Sequence, residues 1–168
     1  ASFYQHVAIE YVRIGNIEKA RPFVTLAFPN LGESSQAYTF MLIGELEKAK
    51  KRYEKLIAEE PDNILYQARM GALLAKLGRK EEAQQKIQWL LERKTQENAG
   101  EQYYFTATIF SQLGELSEAF QALERAYDNS LSFSSTNYGH DPLLSPLNGY
   151  EPFEQFVEPK AMEEKVVN

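Results

Sequence analysis

Gly44-Glu45-Leu46-Glu47-Lys48-Ala49 decides the architecture, because its pattern, a glycine followed five residues later by an alanine, occurs four times in the chain. The other copies are Gly15-Asn16-Ile17-Glu18-Lys19-Ala20, Gly78-Arg79-Lys80-Glu81-Glu82-Ala83 and Gly114-Glu115-Leu116-Ser117-Glu118-Ala119. The glycines stand 29, 34 and 36 residues apart, and a period of that size marks stacked repeats instead of one closed globule. A glycine at this point suits the left-handed conformation with which many helices end.

Working outward, each glycine separates two apolar stripes of helical period. Phe3, Val7, Ala8, Tyr11 and Val12 predict a helix over 2–13, and Ile17, Ala20, Val24, Ala27 and Phe28 predict a second over 17–28. Pro22 falls in the first turns of that second helix, where a missing N–H is tolerated. The same alternation gives four helix–turn–helix units at about 2–29, 30–62, 63–97 and 98–130. The expected fold class is therefore all-α.

Aligned on the glycine, the units resemble tetratricopeptide repeats. A small residue stands seven before it (Ala8, Ala37, Gly71, Ala107), and a large one four before (Tyr11, Phe40, Leu74, Phe110). Another large residue stands nine after (Val24, Tyr53, Ile87, Leu123). Small residues let paired helices approach, and large ones fill the groove between them. The departures are Glu33 and Gln67 where that family often has tryptophan, and Gln36 and Thr106 where leucine is common. The proline seventeen after the glycine is present only as Pro61. The resemblance implies a right-handed superhelix of four antiparallel helix pairs. The short first spacing implies a tightened turn of the superhelix at Pro29.

Residues 131–168 break the pattern. Asn129 to Asp141 is rich in turn formers and reads as a loop. Phe153, Phe156 and Val157 share one face and read as a short capping helix over the fourth unit, with a docking motif for another chain as the alternative. This tail is similar to those that close such arrays in multidomain bacterial signalling proteins, with Ser145 where that pattern usually has aspartate. From Asp141 onward six acidic residues face two lysines, so the end of the chain carries −4 of the net −6. At the other end Phe3, Tyr4 and Val7 open the first helix without the polar outer face of a terminal repeat. A longer chain upstream of Ala1, or self-association through that end, is expected.

Composition narrows the chemistry. The chain has no cysteine, which removes disulfides, thiolate metal sites and cysteine nucleophiles. Neither of the two histidines, His6 and His140, has a companion at metal-ligand spacing, and there is no phosphate loop or Gly-x-Ser-x-Gly elbow. No cofactor, no metal and no enzymatic activity are expected. A net charge of −6 argues against nucleic acid, and no apolar run is long enough to cross a membrane. The one basic cluster, Lys48, Lys50, Lys51, Arg52 and Lys55, is interleaved with glutamates at helical spacing. It reads as a solvated face, an anionic-ligand site being the other reading. A cytoplasmic location is expected, with a removed signal peptide or a periplasmic parent as the alternative.

What remains is binding. The resemblance implies that residues ten, six and three before each glycine line a concave groove. They are Gln5, Ile9 and Val12; Ser34, Tyr38 and Met41; Ala68, Ala72 and Ala75; and Tyr104, Thr108 and Ser111. This lining is small, neutral and partly aromatic, and it lacks the lysine, asparagine and arginine with which relatives clamp a terminal carboxylate. The expectation is a protein-interaction scaffold that receives an apolar or helical peptide. The alternative is a structural connector or homodimerisation module of a larger bacterial signalling or transcription-regulating protein. Trp89 and Phe3 mark a second interface, although the Trp89 indole lying flat over its neighbours accounts for it equally well.

Overall fold

The computed structural model describes residues 3–129, 138 and 140–157. Most of the expected loop at 129–141 and the end of the acidic tail lie outside the described residues. Among those described the chain is all-helical. Helices α1 (Phe3–Arg13) and α2 (Ile17–Ala27) form one pair, and α3 (Glu33–Leu42) and α4 (Leu46–Glu59) the next. They are followed by α5 (Ile64–Lys76) with α6 (Lys80–Glu92), and α7 (Ala99–Leu113) with α8 (Leu116–Asp128). Single 3-10 turns occupy Phe28–Asn30 and Ser145–Leu147, and α9 (Glu151–Val157) comes last.

Backbone sterics explain the recurring glycine. Gly15, Gly44, Gly78 and Gly114 have φ of 73°, 81°, 75° and 76°, a region that costs a residue with a Cβ about 1–2 kcal/mol. The turn satisfies carbonyls that the helix end would leave bare. The Gly78 N–H donates to the Ala75 carbonyl at 3.0 Å and the Arg79 N–H to the Leu74 carbonyl at 2.9 Å. The same pair of bonds recurs in the other three turns. The residue after each glycine then opens the next helix: the carbonyls of Asn16, Glu45, Arg79 and Glu115 accept from the N–H groups of Ala20, Ala49, Ala83 and Ala119 at 2.9–3.2 Å. One peptide thus closes a helix and starts its partner.

The alanines mark where the paired helices touch. Ala20, Ala49, Ala83 and Ala119 are all 0% exposed. The residues four further on, Val24, Tyr53, Ile87 and Leu123, are buried as well. Gly71 carries the close approach furthest, since a Cβ there would lie 2.5 Å from Ile109 Cδ1 of α7 and 3.0 Å from Lys86 Cβ of α6. Leu73, Leu74, Ile87, Leu90, Phe105 and Ile109 fill the space around it as part of the largest apolar cluster.

The links between pairs are held by glutamines near the start of the following helix. The Gln36 amide donates to the Leu31 carbonyl at 2.9 Å, that of Gln67 to the Pro61 carbonyl at 2.6 Å, and that of Gln102 to the Arg93 carbonyl at 3.0 Å. Each satisfies a carbonyl of a link that has left the helix. Between α1–α2 and the rest, contact is through side chains. Phe28 and Phe40 lie 4.8 Å apart, and Ile43 is buried with Ala8, Ala20 and Val24. No approach of α1 to α3 matches that of α5 to α7, so the shortened link at Pro29 does not tighten the stack there.

Beyond α8 the chain returns over the last pair. Leu144, Leu147 and Phe153 are buried with Ala119, Ala122 and Leu123 of α8, and Phe156 and Val157 pack against that cluster. Phe156 meets Phe120 at 5.6 Å and Tyr127 at 5.9 Å, edge to face in both cases, the arrangement that aromatic quadrupoles favour. Burying such a side chain stabilises by roughly 1.5–3 kcal/mol each.

Candidate functional site

The predicted lining divides by depth. Met41, Ala68, Ala72, Ala75, Thr108 and Ser111 are buried, as is Gln5, while Ile9, Val12, Ser34, Tyr38 and Tyr104 are half-buried. Ala68, Ala72 and Ala75 therefore do not form an open strip. They belong to the large apolar cluster with Phe105 and Ile109 of α7, and with Leu143 from the returning chain.

Leu143 is the first sign that this face already holds a segment of the same polypeptide. It is 1% exposed, and its carbonyl accepts a 2.6 Å hydrogen bond from Nε2 of Gln112 on α7. Two residues earlier, Asp141 Oδ2 accepts from the Tyr104 phenol. Asp141 Oδ1 accepts from the Leu143 N–H at 2.8 Å, an Asx-type turn that fixes the leucine relative to the carboxylate. The Tyr138 ring stands edge-on to Tyr104 at 5.4 Å. Successive turn bonds, Leu144 N–H to Asp141 O at 2.9 Å and Leu147 N–H to Leu144 O at 2.8 Å, carry the segment onward.

Facing this carboxylate is a residue that sequence reasoning missed. The Arg69 guanidinium on α5 lies 3.6 Å above the Tyr38 ring, a cation–π stack that holds the side chain over the groove instead of extending it into water. Its Nη1 is buried and has no hydrogen-bond partner among the described residues. Burial works against the charge on Arg69, while Tyr38, Asp141 and Tyr53 act the other way, and on balance its pKa is raised. Burial pushes the Tyr38 phenol up to about 12, Arg69 opposing and Asp141 adding to the rise. Tyr104 is pushed far above the usual phenol range, first by burial and then by the Asp141 charge it bonds to. The face is thus not uncharged: a half-buried cation and two protonated phenols surround one carboxylate.

The signal for Arg69 was present in the chain but had no register to select it. It stands nine before Gly78, next to the expected groove position Ala68, and charged residues on helices normally face water. The glutamines of the links left a plainer trace, one near the start of each first helix from the second unit on, at differing distances from the glycine.

The remaining candidates are dispersed. Trp89 is half-buried, with the Arg93 guanidinium 4.0 Å above its ring, while Phe3 is 74% exposed at the far end of the array. The basic cluster on α4 is largely paired, Lys55 with Glu33 at 2.7 Å, Lys50 with Glu54 at 3.0 Å and Lys48 with Glu45 at 3.1 Å. The Arg52 guanidinium lies 5.6 and 5.5 Å from the ring centroids of Phe28 and Phe40. Among the described residues no group of three or more His, Asp or Glu side chains could hold a metal ion. No helix there is long and apolar enough to cross a membrane. Compared with known proteins, the chain matches no family model, no curated protein and no solved structure.

Proposed function

We propose that this chain is a tetratricopeptide-type repeat array and a non-catalytic scaffold that holds protein or peptide segments on the face built by α3, α5 and α7. The observation that carries this reading is the seating of a non-helical segment there. Gln112 holds a main-chain carbonyl, Tyr104 a side-chain carboxylate, and the α5–α7 cluster a leucine. A main-chain contact provides affinity for any sequence, and side-chain contacts provide choice. Titrating a peptide library into the isotope-labelled full chain tests the reading. Shifts should concentrate at Tyr38, Ala72 and Tyr104, and a library that moves none of them overturns it.

A second reading, a connector or dimerisation element of a larger signalling protein, rests on the first pair, where Phe3, Ile14 and Leu26 are 74%, 62% and 53% exposed. Exposed apolar side chains of this size suit a covering neighbour. Sedimentation across a concentration series tests it: association that is lost on Phe3→Ser supports the connector, and a monomer throughout excludes self-association.

A further inference from the structure

We infer that the partner of this face is a segment carrying a carboxylate two residues before a leucine, and that Asp141-Pro142-Leu143-Leu144 is a built-in occupant such a partner must displace. The inference rests on the scaffold reading and names its ligand class. Three features of the seated segment define the class. Tyr104 donates to one carboxylate oxygen, and the other holds the Leu143 N–H at 2.8 Å, so the acid and the leucine are recognised as one turn. Leu143 enters the cluster of Ala68, Ala72, Phe105 and Ile109, where short alanines leave depth for a branched side chain. Gln112 fixes the chain direction through the leucine carbonyl.

The fourth feature argues for an exchangeable occupant. Asp141 satisfies Tyr104, yet Arg69, on the same face, keeps a buried Nη1 without a hydrogen-bond partner among the described residues. A buried donor left unmet is unfavourable. A segment whose carboxylate reached both Tyr104 and Arg69 would satisfy what the built-in segment leaves open. Charge complementarity selects an acidic partner over a neutral one, because an amide cannot neutralise the guanidinium.

The test uses the full chain and the octapeptide His-Asp-Pro-Leu-Leu-Ser-Pro-Leu, fluorescently labelled, beside the same peptide with asparagine for aspartate. Against the double variant Asp141→Asn, Leu143→Ala, whose built-in segment is weakened, the acidic peptide should bind at least ten-fold tighter than to the unaltered chain. The asparagine peptide should bind at least ten-fold weaker than the acidic one, and adding Arg69→Met should remove the difference. Equal binding of both peptides sinks the acidic class but leaves the scaffold reading standing. Failure of both, together with a silent library, sinks the two together. Should the double variant not fold, hydrogen exchange on the unaltered chain decides. The Leu143 and Leu144 amides should exchange at least ten-fold faster than those of α5 and α7, and equal protection overturns a displaceable segment.

Discussion

The Tyr104 phenol donates its hydrogen bond to Asp141, 37 residues further along the chain, so the unrepeated end of the polypeptide is tied to the first helix of the last pair by a charge-assisted contact. Bonds of this kind contribute about 1.5–3 kcal/mol. Tyr104→Phe keeps the ring packed against Tyr138 but removes the donor. Urea unfolding should show a loss of roughly 1–3 kcal/mol, and the Leu143 amide should lose exchange protection more than α1 or α2 amides do.

Tyr53 supplies the contrast. It is 0% exposed, and its hydroxyl has no hydrogen-bond partner among the described residues. Removing a buried, unmet oxygen relieves a desolvation cost, so Tyr53→Phe should be neutral or stabilise by up to about 1 kcal/mol. A paired denaturation experiment with Tyr104→Phe should therefore give effects of opposite sign, or one near zero.

The turn glycines offer a test of the architecture itself. Gly78 has φ of 75° and open space around it, so an alanine would meet strain and no clash. Gly78→Ala should cost about 1–2 kcal/mol, read as a lower urea midpoint with unchanged slope.

The end of the array should be more sensitive still. Phe153 is buried with Leu144, Leu147, Ala119 and Leu123, and Phe153→Ala should destabilise by about 3–5 kcal/mol. A loss below about 1 kcal/mol in thermal or urea unfolding would mean that α9 contributes little to the fold.

Alkali should loosen the groove in a defined window. Burial raises Tyr38 from 10.0 to about 12, and burial lifts Tyr53, Tyr104 and Tyr138 further. In the unfolded chain these phenols release protons near pH 10, while the folded chain retains them. The unfolded state thus binds fewer protons, and stability, complete below pH 10, falls as pH rises toward 12 and beyond. Phenolate absorbance should show two classes of tyrosine, the later one appearing with the loss of helical circular dichroism. A single titration at the ordinary value with the helices intact would contradict the buried cluster.

How much of this was legible in the sequence depends on how local its cause is. The glycines, the alanines five beyond them and the large residues nine beyond act within one helix pair, so their positions repeat and the repetition exposes them. The paired helices and their buried alanines follow directly. Arg69 and Asp141 act across the stack, one from a helix and one from a segment that occurs once, and nothing in a repeat register links such residues. The expected groove positions were identified from the family resemblance. Their depth was not, because it depends on packing across the stack, with Phe105, Ile109 and Leu143 among the neighbours. Tyr38 and Tyr104 were named as candidates, and the structure brings them together with the carboxylate and the cation that give the face its chemistry.

The leucine that fills the face lies 31 residues beyond the glutamine that holds it. At a synthesis rate of about 5–20 residues per second, α5 and α7 leave the ribosome seconds before that leucine does. Each helix pair closes over a turn of a few residues and folds quickly, whereas the returning segment closes a long loop and arrives last. On a nascent chain, then, the receiving surface emerges before the segment that fills it.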